Sequence, residues 1–268
     1  MPMPTVARLN VTPVKGTRLL HPERVELTPD GLPENRLFHL VDPMGALFSG
    51  NDAGELQQIV SGWDGSAQAL RLELPDGSVV EGPGDDLDEA VVTDFYGRAV
   101  PGRVVHGPFA AAFRRSTGRD LRLIRCDRPG DAYDVEPITV VSVASVAALA
   151  EGAGHDGLLD AGRFRMNLEL EGCAPYEEDT WEGLDVRVGG AVLRVGEQVP
   201  RCVVTTLDPL TGHKDFPTLT EIARQRGRIR GRTGLPFGVY ARVERPGPVA
   251  VGDAVEPLER SADVRTSL

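Results

Sequence analysis

The sequence predicts a mixed α/β, β-rich (α+β) protein made of two β-rich units with a few short helices, and three observations predict it. Gly and Pro together supply 52 of 268 residues, and turn-forming residues at that density divide a chain into many short elements. Several short runs alternate apolar and polar residues with the period of two expected of half-buried strands. Only three stretches carry the spacing and punctuation of a helix. The expected units are 1–120, β-barrel-like, and 121–260, followed by a flexible tail over 261–268.

Taken in order, Arg8 to Val14, Arg24 to Leu27 and Leu37 to Val41 read as strands, punctuated by Pro29-Asp30-Gly31 and by Asp42-Pro43-Met44-Gly45. Leu70, Leu72 and Leu74 alternate with Arg71 and Glu73 before Asp76-Gly77 and Val79-Val80, a hairpin signature. Phe109 to Gly118 reads as a short helix, and Leu121, Leu123 and Cys126 as a strand. The β-branched run Ile138 to Val141 leads to an alanine-rich helix ending near Gly152, capped by Ser142 or Ser145. Arg163 to Asn167 reads as a strand, and Leu184 to Val195 as a hairpin around Gly189-Gly190. Thr218 and Glu221 have the spacing of a capping box, with Leu219, Ile222 and Ala223 as an apolar stripe and Gly227 as a stop. A closing strand and turn span Val249 to Leu258.

Composition excludes several function classes. The net charge of −11 repels phosphate backbones, so no nucleic-acid partner is expected. The run Arg224, Arg226, Arg228, Arg230 and Arg232 lacks the interleaved aromatics of a single-strand binder. No apolar window of about 18 residues exists and the start carries no secretory pattern, so a cytoplasmic protein without membrane contact is expected. Cys126, Cys173 and Cys202 are odd in number and far apart, which argues against a disulfide framework and a zinc cluster. The five histidines show no zinc-hydrolase spacing, and no nucleophile elbow, phosphate loop or dinucleotide fingerprint occurs.

Arg201 beside Cys202 favours the thiolate form of the cysteine. A small core residue at a strand start accounts for the same residues. Arg163, Arg165 and Asn167 share one face of the expected strand, compatible with an anion clamp or with a solvated face paired to Glu177, Glu178 and Asp179. Lys15, after the turn-forming Pro13, is compatible with a point-charge phosphate ligand or with an ordinary solvated lysine, and the pair Asn35-Arg36 says nothing by itself.

Together the segments Thr12–Gly16 (TPVKG), Glu34–Gly45 (ENRLFHLVDPMG), Arg163–Gly183, Arg201–Gly212 (RCVVTTLDPLTG) and Pro236–Val255 resemble the MOSC family, the molybdenum-cofactor sulfurase C-terminal domain with its N-terminal β-barrel partner. The resemblance covers nearly the whole chain. It implies Cys202 as catalytic molybdenum ligand, a soft donor for that metal, with Asp134 as an acid near it. It also implies Lys15, Arg36, Arg165, Asn167 and Arg201 as contacts to the molybdopterin of the molybdenum cofactor. The implied activity, from the amidoxime-reducing branch, is reduction of N-oxygenated small molecules by oxygen-atom transfer. A separate ferredoxin or flavin reductase would supply electrons, since no iron-sulfur cysteines follow Leu258. The family also has an association with pyridoxal phosphate binding. Two other readings stay open: a non-redox sulfur carrier or molybdopterin-binding module with a persulfide on Cys202, and a cofactor-free remnant. Gly16, Asn35, Gly50, Glu136 and Pro200 depart from the family pattern.

Overall fold

A computed structural model describes residues 3–228 and 234–258; the expected tail at 261–268, with Arg230 and Arg232 of the basic run, lies outside the described residues. In chain order the strands are β1 (Thr5–Leu9), β2 (Arg24–Leu27), β3 (Phe38–Val41), β4 (Leu47–Phe48), β5 (Val60–Asp64), β6 (Ala69–Glu73), β7 (Val79–Pro83), β8 (Leu87–Phe95) and β9 (Arg98–Val105). They continue with β10 (Arg122–Cys126), β11 (Ile138–Ser142), β12 (Leu168–Glu171), β13 (Asp185–Val188), β14 (Ala191–Pro200), β15 (Pro236–Arg245), β16 (Gly247–Ala250) and β17 (Val255–Pro257). The helices are α1 (Phe109–Thr117), α2 (Val143–Gly152) and α3 (Thr218–Gln225).

The largest sheet has the order β1-β12-β11-β15-β14-β13-β17. It nearly closes on itself: Val6 N–H donates to the Asp253 carbonyl at 2.9 Å and Val255 N–H to the Pro4 carbonyl at 2.8 Å, so the first strand also meets the last turn. Closure removes exposed strand edges. Period-two alternation fills the interior, with Ile138 and Val140 joining Leu168, Leu193 and Val239 in one core while Val141 faces a second core shared with α2 and α3. A five-stranded sheet, β4-β3-β10-β9-β8, packs with the β5-β6-β7 meander and α1 around Phe38, Leu70, Leu72, Phe109 and Phe113. Sheets cross residue 120 in both directions: β1 and β2 pair with β12 and β16, and β10 pairs with β3 and β9.

Of two expected helix caps, one forms and one does not. Ser142 caps α2, accepting from Ala144 N–H at 3.1 Å, whereas Ser145 donates to Glu178. The capping box at α3 does not form: the Thr218 hydroxyl donates to the Thr205 carbonyl at 2.6 Å, and Glu221 instead accepts from Arg224 at 2.9 Å. A buried acceptor outranks a local cap, because an unpaired buried carbonyl costs more than one helix-end N–H exposed to water.

The segments 54–58 and 208–212 meet backbone to backbone. A Cβ on Gly212 would lie 2.0 Å from the Gly54 carbonyl oxygen, and Gly212 has φ +72°. Gly212→Ala is therefore expected to lower the unfolding free energy by about 2–3 kcal/mol. Gly77 has a similar φ of +80° but open space around it, so Gly77→Ala isolates the cost of the backbone angle alone, about 1 kcal/mol. Equal urea midpoints for the two variants would show that the loops do not touch.

Candidate active-site cleft

The loop after β1 is pinned to β3: Lys15 N–H donates to the Phe38 carbonyl at 2.8 Å and Phe38 N–H to the Pro13 carbonyl at 2.9 Å. This fold of the loop buries the Lys15 side chain under the segment 130–136. Its Nζ donates to Asp134 Oδ1 at 2.7 Å and to the Ala132 carbonyl at 3.2 Å. Gly16 follows in the left-handed region at φ +97°, its Cβ position 3.1 Å from Leu56 Cδ1. Arg36 reaches the other carboxylate oxygen of Asp134 at 3.4 Å. Arg98 ties the same acidic segment to β9, donating to Asp131 Oδ1 at 2.8 Å and to the Tyr133 carbonyl at 2.6 Å.

From the other half come Arg163, Arg165, Asn167, Arg201 and Cys202. The segment expected as a strand over 163–167 is instead a 3-10 turn, Ala161–Phe164, followed by Arg165 in the left-handed region at φ 54°. The turn still carries Arg163, Arg165 and Asn167 to one cleft. The acids that could have paired with them lie elsewhere: Glu178 accepts from Ser142 N–H and Ser145, Asp179 pairs with Arg226, and Arg163 takes Asp215. The β-branched run after Cys202 is likewise a 3-10 turn, Val203–Thr206, and not a strand. Cys202 is exposed at its start, so it is not the packed core residue that local sequence allowed; Cys126 and Cys173 are buried.

All seven candidate residues, Lys15, Arg36, Asp134, Arg165, Asn167, Arg201 and Cys202, line a single cleft of about 810 Å³ including the part open to solvent. Tyr96, Tyr133, Tyr240 and Glu136 line it too. Asn167 spends its Oδ1 on Thr139 N–H and Oγ1, at 3.1 and 3.0 Å. Asn35, which departs from the family pattern, serves the loop by accepting from Thr12 N–H at 3.1 Å. Gly50 packs behind the cysteine turn, its Cβ position 3.3 Å from Val204 Cγ2.

The electrostatics are those of an anion site in an acidic protein. Burial, opposed by Asp134, pushes Lys15 down to about 8, and burial beside Arg36 pushes Arg165 down to about 9. Burial works against ionisation of Asp134, yet Lys15 and Arg36 hold its carboxyl well below the usual range. Arg165 Nη1 and Arg201 Nε are buried without a hydrogen-bond partner. Such orphaned donors, beside cations whose charge burial already penalises, suit an anionic group. Among the described residues no three His, Cys, Asp or Glu side chains gather to hold a metal, so a metal at Cys202 would draw its other donors from a non-protein ligand.

The basic run is partly neutralised: Arg224 pairs with Glu221 and Arg226 with Asp179, and Arg224 and Arg228 are its exposed described members. No helix among the described residues is long and apolar enough to cross a membrane.

Residues 127–256 match the MOSC domain family. The chain carries a MOSC domain. Human mitochondrial amidoxime-reducing component 1 is 28% identical, with 94% of this chain aligned to 82% of that protein. The Xenopus laevis protein of the same name is 25% identical over 95% of this chain and 82% of its own. Molybdenum cofactor sulfurase of Caenorhabditis elegans is 26% identical over 89% of this chain, which spans a third of it (33%). Among solved structures, the YuaD protein from Bacillus subtilis covers 95% of both chains at 14% identity and a TM-score of 0.46. The MOSC domain contributes Asp134 and the arginine and cysteine segments to the cleft, while Lys15, Arg36 and Tyr96 precede its matched residues. Sequence reading missed the tyrosines. The signal available for Tyr96 was Tyr-Gly between two strands, where hairpin turns favour Asn-Gly.

Proposed function

We propose that this protein is a molybdenum-cofactor-dependent reductase of N-oxygenated small molecules, with Cys202 as the protein's metal ligand. The supporting observation is an exposed cysteine in a cleft lined by Lys15, Arg36, Arg165 and Arg201, of which Arg165 and Arg201 hold unpaired buried donors, in a chain of net charge −11. Similarity to amidoxime-reducing components along nearly the whole chain favours this substrate class. The chemistry such a cofactor supplies when bound is two-electron redox at the metal with acceptance of an oxygen atom. The protein's own work is positioning. Lys15, Arg165 and Arg201 neutralise the anionic part of the ligand, Asp134 holds Lys15 and Arg36 in place, and Asn167 keeps one amide hydrogen beyond its 3.3 Å bond to the Asn10 carbonyl. Overall, R–NHOH with two electrons and two protons becomes R–NH2 and water, the electrons coming from a separate ferredoxin or flavin reductase.

The test is metal and pterin analysis of protein made in a cofactor-competent host. Wild type is expected to carry molybdenum and a fluorescent pterin in equal amounts, and Cys202→Ala to lose most of the metal. Metal-free wild type overturns the reading, and undiminished molybdenum in the variant overturns the ligand assignment. Cyanide-labile sulfur without molybdenum would point to a persulfide carrier.

A further inference from the structure

β8 and β9 are joined by a two-residue turn, because Phe95 pairs directly with Arg98. Both turn residues have positive φ, Tyr96 at 56° and Gly97 at 95°, the signature of a type I′ turn. The first position of such a turn favours Asn, Asp or Gly, and an aromatic residue held there is under backbone strain. Strain of this kind gathers at functional positions, and Arg36 and Arg165, with φ of 54° each, line the same cleft. The Tyr96 side chain is 65% exposed yet lines the cleft, and it stacks on no other described aromatic ring. Asp134 and Cys202 line the same cleft as Tyr96. Val135 and Val203, the chain neighbours of Asp134 and Cys202, are exposed by 57% and 37%. Lys15, Arg36, Arg165 and Arg201 make the cleft cationic.

We propose that Tyr96 is a specificity-determining residue: its ring forms one wall of the substrate entrance and selects molecules whose N-oxygenated group is borne on a planar aromatic or conjugated body. This rests on the reductase reading of the cleft. The tight hairpin fixes the backbone, so the ring has only two torsions to lose, and an aromatic face offers offset stacking to a planar partner. A small alkyl hydroxylamine has no surface to lay against it.

The experiment compares wild type, Tyr96→Phe and Tyr96→Asn with N-hydroxybenzamidine and N-methylhydroxylamine as probes. Tyr96→Asn is expected to raise KM for the aromatic probe about tenfold with kcat little changed, while KM for the methyl probe moves far less. Tyr96→Phe keeps the selectivity. Asn suits the left-handed backbone, so the melting temperature of Tyr96→Asn is expected to rise, which separates lost selectivity from lost folding. Equal KM changes for both probes, or a phenylalanine variant as unselective as the asparagine one, overturns the proposal. Calorimetric titration of wild type and Tyr96→Asn with N-hydroxybenzamidine, with no electron donor present, reads the same wall without turnover. Weaker binding to the variant is expected even if wild type proves free of molybdenum, and equal binding sinks the wall while leaving the reductase reading intact.

Discussion

Asp215→Ala is expected to destabilise the protein by about 3 kcal/mol and to loosen the cysteine turn. Arg163 is only 2% exposed, and its two terminal nitrogens meet the two Asp215 oxygens at 3.0 and 2.9 Å. One of them also donates to the Thr205 carbonyl at 3.3 Å, while Nε has no partner. Removing the carboxylate leaves a buried guanidinium with one carbonyl and the face of Phe216, 5.5 Å away, beside it. Breaking a buried pair costs about 3–5 kcal/mol; Asp215 is 38% exposed, so water can enter from its side and the lower end applies. The loss reaches the site through one residue. Thr205 accepts from Arg163 and Thr218 and donates its N–H and hydroxyl to the Cys202 carbonyl, at 3.2 and 2.9 Å. The Cys202 thiol should therefore react faster with a disulfide reagent in Asp215→Ala. Burial pushes Cys126 and Cys173 up to about 12, so the reagent reads Cys202 alone. Arg163→Met combined with Asp215→Ala should recover much of the stability, because an apolar pair of similar volume leaves no buried charge. A loss under about 1 kcal/mol for Asp215→Ala, or a double variant as unstable as the single one, would contradict this account.

What the sequence shows well is local. The β6–β7 hairpin has Leu72 opposite Val80 with Gly77 at φ +80° in its turn, and β13 and β14 turn at Gly189-Gly190 with Val188 opposite Ala191. Alternation and turn chemistry act over a few residues, so they are readable without the rest of the chain. The β-rich mixed α/β class follows from the same signals. Partners distant in sequence left no such mark. Nothing around Lys15 announces that Asp134, 119 positions away, will take its ammonium group, and nothing around residues 5–9 announces that they join β12.

The misread segments share a cause. Val203–Thr206 is β-branched and Arg163–Asn167 alternates, yet both become tight turns around one cleft. Their backbone is decided by partners distant in sequence, the Thr205 carbonyl with Arg163 and Thr218 in one case, Arg165 donating to the Thr17 carbonyl at 2.6 Å in the other. Sites depart from local preference because their geometry is set by tertiary contacts. The positions of the candidate side chains were therefore legible only through the motif resemblance, whereas Tyr96, outside every quoted motif, needed the structure.

The ligand-free protein is expected to gain stability as pH rises from about 7.5 to 9.5, relative to Lys15→Met, by about 2 kcal/mol. Lys15 ordinarily titrates at 10.5, and burial lowers it to about 8 in the folded state despite Asp134, a gap on the order of 3 kcal/mol. Below pH 8 the lysine is charged in both folded and unfolded chains, and the full cost of burying the charge falls on the fold. Between 8 and 10.5 the unfolded chain holds a proton that the folded one has released, so unfolding becomes harder as pH rises. Cys126, Cys173 and Tyr240, each raised to about 12 by burial, act in the opposite direction at high pH. The comparison with Lys15→Met cancels them. Asp134 stays ionised throughout this range, since Arg36 still faces it in the variant. A stability difference that is flat across the window would show that Lys15 is not held at this cost. An anionic ligand beside Lys15 favours the charged lysine and moves the window to higher pH, so the same pair of proteins loaded with cofactor should lose most of the pH dependence. The energy that burial withholds from an empty cationic cleft is thereby returned when an anion enters it.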